Sequence, residues 1–140
     1  SLSAYVHSGV SFAPYEKSFE KLFGKPVVYS ESYLASEGYI AYQVDLNKRI
    51  MQLIVDNGIY YEFVPFNENN FDEDGNIKQN CKSLTMKEVE ENVDYAILLS
   101  TNAGTWRYLI GDVIKFVNKE KCEILVNACC HIYILMEYSC

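Results

Sequence analysis

From Val27 onward the chain offers apolar residues almost only in short runs cut by turn residues. "YIAYQVD", "RIMQLIVD", "GIYYEFVP", "YAILLST", "WRYLI", "VIKFV", "CEILV" and "IYILM" follow one another with Asn, Asp, Gly or Lys between them. Such runs, rich in Val, Ile, Tyr and Phe, are strand signals, and Asp56-Asn57-Gly58 between two of them is a strong hairpin signal. One stretch has a helical period: "APYEKSFEKLFGK" places Tyr15, Phe19, Leu22 and Phe23 on one face, with Gly24 as its stop. "SAYVHSG" before it and "VVYSES" after it read as strands, a β-loop-α opening. In "LTMKEVEEN", Thr85 and Glu88 have the capping-box spacing, which predicts one or two helical turns. The chain is therefore expected to be α+β, with a mainly antiparallel or mixed β-sheet and few helices.

With 140 residues, 49% of them hydrophobic, the chain can bury a core and is expected to form a single domain over 1–140. The stretch Asn67 to Asn76, "NENNFDEDGN", is expected to be a surface loop. Asp72, Asp74 and Asn76 approach the order of a calcium loop, but Gly75 precedes Asn76 and no Glu follows at the needed place, so a solvated loop is expected.

A net charge of −7 repels nucleic acid and anionic membrane surfaces, and neither is an expected partner. A single nucleotide is compatible with this charge, because a divalent cation and local backbone N–H groups offset phosphate. The five cysteines, Cys81, Cys122, Cys129, Cys130 and Cys140, include no C-x-x-C pair and are expected to be reduced, with Cys129 and Cys130 alternating faces of a strand. The apolar run from Ile124 to Met136 is too short to span a bilayer and contains Asn127 and His131, so a core strand or hairpin is expected there. No charged segment followed by an apolar one opens the chain, which predicts a cytoplasmic location. His7 and His131 lie in apolar strands and read as packed residues, and no Ser stands in a G-x-S-x-G elbow.

Two stretches carry candidate chemistry. In "WRYLIGD", strand alternation sends Trp106, Tyr108 and Ile110 to one face and Arg107 and Leu109 to the other. Gly111 then frees the backbone, so that Asp112 projects from the strand's end. A carboxylate there is either an ordinary solvated turn residue or an acceptor for paired donors such as the vicinal hydroxyls of a ribose. In "SYLASEGY", a loop is expected to hold Tyr33, Ser36 and Glu37 together. Glu37 is a hard oxygen ligand suited to Mg²⁺, Ser36 a donor to phosphate, and Tyr33 or Tyr39 a ring that can face a purine. The same Ser and Glu also suit a loop that satisfies its own backbone donors.

Taken together, the two stretches resemble a family. Tyr33-Leu34-Ala35-Ser36-Glu37 is similar to the Tyr-x-x-Ser-Glu nucleotide motif of the Gretchen Hagen-type acyl-acid amido synthetases, auxin-responsive plant enzymes with bacterial relatives in the adenylate-forming superfamily. Ala103 to Asp112, "AGTWRYLIGD", resembles that family's later Ala-Gly-(Leu)-(Tyr/Trp)-Arg-Tyr-x-(Ile/Val)-Gly-Asp motif, in the same order and with a "YYEFVP" strand between. "HSGVSFAPY" is similar to the Gly-rich segment before the first motif in bacterial members. Leu109 departs from the second Arg of plant members, and Leu34 and Ala35 fill positions that are smaller or hydroxylated elsewhere. The Gly-Arg expected after the Asp motif is absent, and the tail 122–140 departs from the family.

The resemblance implies a partial adenylate-forming large domain that uses ATP and Mg²⁺. A carboxylic acid would be activated as an acyl-adenylate and passed to an amine, typically of an amino acid. Tyr33, Ser36, Glu37 and Asp112 would bind the nucleotide, Glu37 would help hold Mg²⁺, and Asp112 would grip the ribose; no catalytic residue is assigned. The family's phosphate loop would lie upstream and its mobile domain downstream, so the chain alone is expected to be nearly inactive. The alternative is a non-catalytic α+β module that binds a nucleotide or a protein. An exposed sheet edge would make either form prone to self-association.

Overall fold

A computed structural model describes residues 3–9 and 14–129, with the side chains of residues 128 and 129 left out of the description. The expected strand "IYILM", together with His131, Cys130 and Cys140, lies outside the described residues. The chain divides into two compact units, Ser1–Ile54 and Val55–Cys140. Both are dominated by strands, and the one helix among the described residues makes the chain α+β with a mixed, mostly antiparallel strand arrangement.

In the first unit the order is β1 (Ala4–His7), β2 (Val28–Ala35), β3 (Gly38–Gln43), β4 (Met51–Leu53), with β1 and β2 parallel and the other pairs antiparallel. A parallel pair cannot be joined by a tight turn, and the helix α1 (Glu16–Phe23) makes the crossover. Gly24 ends it in the left-handed conformation at φ 61°, and its N–H reaches the Glu20 carbonyl at 3.0 Å. The packed stripe is half-buried and narrower than the sequence pattern suggests. Phe19 and Phe23 pack on Tyr5 at ring separations of 5.4 and 6.0 Å, and Tyr29 meets the same ring at 6.4 Å. Leu22, expected on that face, is 75% exposed, and Tyr15 lies at the helix N-cap rather than on the stripe.

Among its described residues the second unit is antiparallel, in the order β8 (Glu123–Cys129), β7 (Tyr108–Asn118), β6 (Asp94–Thr101), β5 (Ile59–Pro65). Six successive residues of β6, Tyr95 to Ser100, are buried, which is why "YAILLS" shows no polar alternation. On one side Val64, Ala96, Leu98 and Val113 cluster with Phe71 of the acidic loop, and Phe66 and Ile77 pack against them. The other side carries the ring of Phe63, which lies 5.1 Å from Phe116 and 6.3 Å from Tyr95. The Tyr95 hydroxyl is satisfied by the Glu90 N–H at 2.9 Å. Leu84 forms an isolated bridge with Phe63, exchanging two backbone bonds of 2.8 and 2.7 Å on β5.

The acidic loop is built on its own side chains. Asp72 accepts from the N–H groups of Asn76 and Asp74 at 2.7 and 3.0 Å and from the Asn76 amide at 3.2 Å. These bonds, chiefly the Asn76 N–H, hold its carboxyl below the ordinary range. It is a turn-former, as the solvated-loop expectation required.

"LTMKEVEEN" forms one hydrogen-bonded turn and no helix. Its capping partners are nonetheless in place. Glu88 accepts from the Thr85 N–H at 2.8 Å, the Thr85 hydroxyl at 2.9 Å and Lys82 Nζ at 3.1 Å. The Thr85 N–H is the largest cause of a Glu88 carboxyl lowered to about 2 from 4.5. A folded-state value below the unfolded one stabilises the protein fully above the unfolded value, and the contribution is lost as pH falls toward the folded one. Urea midpoints are therefore expected to decline between pH 4.5 and 2, with a component that disappears in Glu88→Gln. An identical decline in both proteins would show that the turn does not depend on this carboxylate.

Candidate functional site

Tyr33, Ser36 and Glu37 share one hairpin, but the expected loop is much shorter than the motif. Ala35 pairs with Gly38, so only Ser36 and Glu37 form the turn, and Tyr33 belongs to β2 opposite Ala41. The extended conformation of "YLA" follows from its neighbours, since β2 is tied on both sides. Ser32 Oγ donates to the His7 carbonyl at 3.2 Å, and the Glu31 N–H donates to Gln43 Oε1 at 2.8 Å. Gln43 then uses its amide to bond the carbonyls of Asp45 and Lys48 at 3.1 and 2.6 Å, closing the loop after β3. A register shift between Tyr33 and Leu34 makes Ile40 an extra residue, and the next pair, Leu34 and Tyr39, faces outward. Tyr33 is 9% exposed and Tyr39 43%, so of the two candidate rings Tyr39 offers the open face.

Ser36 is exposed and Glu37 half-buried at the hairpin tip, a position from which a hydroxyl and a carboxylate can reach a solvated ligand. Among the described residues no group of three or more His, Cys, Asp or Glu could hold a metal ion. A Mg²⁺ at Glu37 would therefore draw its other ligands from phosphate oxygens and water, the arrangement this ion commonly adopts.

Asp112 belongs to the second unit, and its placement corrects the sequence expectation. It does not stand at a strand end, because β7 runs unbroken from Tyr108 to Asn118. Nor does the strand include Trp106, which is 81% exposed in the preceding loop, or Arg107, which has φ 45°. What Gly111 supplies is a bulge. Ala96 pairs with Val113 but Leu98 pairs with Leu109, so Ile110, Gly111 and Asp112 stand opposite Ile97 alone. Gly111 has φ 85°, and a Cβ added there would meet nothing within 4 Å. Gly111→Ala is thus expected to cost about 1–2 kcal/mol through the backbone alone. Urea unfolding measures this, and a loss below about 0.5 kcal/mol would show that β7 relaxes out of the bulge freely.

A polar cluster that the sequence reading did not single out lies beside this bulge. The Arg107 N–H donates to Ser100 Oγ at 2.9 Å, its Nε to Glu62 Oε2 at 3.1 Å and its Nη2 to Ser83 Oγ at 3.3 Å. Ser83 in turn donates to Glu62 Oε1 at 2.6 Å. The one sequence signal was Glu62 itself, an acid between Tyr61 and Phe63 in a strand with apolar surroundings, where a carboxylate needs a partner.

Comparison with known proteins bears on the same segments. A family model described as the GH3 family central domain matches residues 52–123, which includes the Gly111-Asp112 bulge and begins after the Ser36-Glu37 turn. Among curated proteins, jasmonoyl-L-amino acid synthetase JAR4 of Nicotiana attenuata is 32% identical over 108 residues, covering 75% of this chain and 18% of that protein. Jasmonoyl-L-amino acid synthetase JAR6 of the same plant is 28% identical over 110 residues, with 75% of this chain and 18% of that protein covered. Indole-3-acetic acid-amido synthetase GH3.4 of Arabidopsis thaliana is 28% identical over 110 residues, with 75% and 17% covered. The chain thus spans under a fifth of the length of these relatives. Because the family model takes in just over half of the 140 residues, from β4 through the polar cluster and the bulge to the start of β8, the chain belongs to the GH3 family.

Proposed function

We propose that this segment supplies part of the nucleotide site of an ATP-dependent acyl-acid amido synthetase. The observation that carries the reading is that both motif acids stand on irregular backbone: Glu37 at a two-residue turn and Asp112 on a bulge built around Gly111. The turn also joins β2 to β3, whereas the bulge interrupts an otherwise continuous strand, a device that re-aims a side chain. The relatives' names describe the joining of jasmonic or indole-3-acetic acid to an amino group, and the reading extends that reaction class to this chain.

In the proposed reaction a carboxylate oxygen attacks the α-phosphorus of ATP, pyrophosphate leaves, and an amine nitrogen then attacks the acyl carbon with AMP as the leaving group. Asp112 accepts the two ribose hydroxyls and fixes the nucleotide's orientation. Ser36 donates to a phosphate oxygen, Tyr33 supports the hairpin from within, and Tyr39 offers its ring to the base. Glu37 would hold the cation that accompanies ATP, which would supply charge neutralisation at the phosphates. The protein's contribution is positioning. The test is carboxylic-acid-stimulated ATP-pyrophosphate exchange by the full-length protein. Nucleotide binding without exchange over a panel of acids would favour the non-catalytic module instead.

A further inference from the structure

The β6–β7 bulge poses a register problem that the apolar pattern of the strands does not solve. A one-residue slip would turn every side chain to the wrong face, but the offset here is two residues and preserves the faces. Continuing the pairing of Ala96 with Val113 without a bulge would set Ser100 opposite Leu109 and Thr101 opposite Tyr108, with the same side chains inward. In that slid register Gly111 would sit in a regular ladder, and Asp112 would lie directly opposite Ile97. Something other than hydrophobic pattern must select the bulged form.

We infer that the Arg107, Glu62 and Ser83 cluster is this selector, a register lock that makes Arg107 a positioning residue for Asp112. Its members come from three separate places, β5, the segment before Thr85 and the β6–β7 loop, and the Arg107 N–H adds Ser100 of β6. The loop is closed at its base by the Thr101 N–H to Thr105 carbonyl bond of 2.9 Å, which leaves Arg107 little freedom. Sliding β7 by two residues would carry Arg107 roughly 7 Å along β6. That displacement breaks all three of its bonds and strands Glu62, whose side chain is only 16% exposed, without its cation. The left-handed backbone at Arg107, φ 45°, is the strain that these bonds hold in place. The lock and the bulge therefore stand or fall together.

This proposal rests, for its consequence in nucleotide binding, on the reading of Asp112 as a ribose acceptor, and its test separates the two. Thr101 and Tyr108 are diagonal neighbours in the bulged register and direct partners in the slid one, so Thr101→Cys/Tyr108→Cys reports register through disulfide formation. In the full-length protein, adding Arg107→Ala is expected to raise the rate of that disulfide at least about fivefold, identified by peptide mass. On the cysteine background of the natural protein, Arg107→Ala is also expected to lower the preference for ATP over 2′,3′-dideoxy-ATP toward the value of Asp112→Ala. The exchanged pair Glu62→Arg/Arg107→Glu is expected to restore much of it. An unchanged disulfide rate with Arg107→Ala overturns the lock. A raised rate together with an Asp112→Ala protein that keeps full ribose preference leaves the lock standing and removes the nucleotide role of Asp112.

Discussion

Phe63→Ala is expected to remove about 3–5 kcal/mol of stability. The ring is fully buried and meets Tyr61, Tyr95 and Phe116 at 6.5, 6.3 and 5.1 Å, so truncation leaves a cavity walled by three other aromatic rings. Those rings sit on β5, β6 and β7, whose ladders fix their backbones, and the hole has few ways to collapse. The backbone of Phe63 also holds Leu84 by two bonds, which survive the substitution and keep the comparison to side-chain packing. Tyr60 on the same strand is 58% exposed, and Tyr60→Ala is expected to cost under about 1 kcal/mol. Equilibrium urea unfolding of both variants checks this. Similar losses at the two positions would mean that β5 does not present Phe63 to the core.

Asp112→Ala is expected to weaken ATP binding by the full-length protein about tenfold to a hundredfold, while 2′,3′-dideoxy-ATP binding stays nearly constant. Hydrogen bonds to an ionised group contribute about 1.5–3 kcal/mol each, and about 1.4 kcal/mol is tenfold in affinity. Asp112 is half-buried within β7 rather than fully enclosed, which favours the lower end of that range. Titration calorimetry with the two nucleotides separates a ribose effect from a general one. Equal weakening for both would assign Asp112 to the strand rather than to the sugar.

Much of the strand order was legible because turn chemistry interrupts the apolar runs at the right places. Gly24 ends α1 with its φ of 61°, and Asp56-Asn57-Gly58 precedes β5 but makes no hairpin, because β4 pairs with β3 and β5 with β6. What misled was the assumption that a glycine before an acid closes a strand. Gly111 instead sits inside an 11-residue strand, because the ladder to β8 begins at Asp112 and that to β6 resumes at Val113, carrying β7 onward. Tyr33 was expected in a loop, yet the bonds of Glu31 and Ser32 to Gln43 and His7 extend β2 two residues beyond it. Both errors have one cause: propensity describes a residue's neighbours in the chain, whereas neighbours in the sheet decide where a strand stops. The Arg107 cluster was hidden for the same reason, its ion pair joining residues 45 apart.

Loss of either proposed nucleotide ligand, Glu37 or Asp112, is expected to slow adenylation. The most direct measurement is acid-stimulated ATP-pyrophosphate exchange by the full-length protein alongside its Glu37→Ala and Asp112→Ala forms. The account predicts exchange in the unaltered protein and a fall of about tenfold or more in each variant. Exchange that proceeds at the unaltered rate in both variants would contradict it.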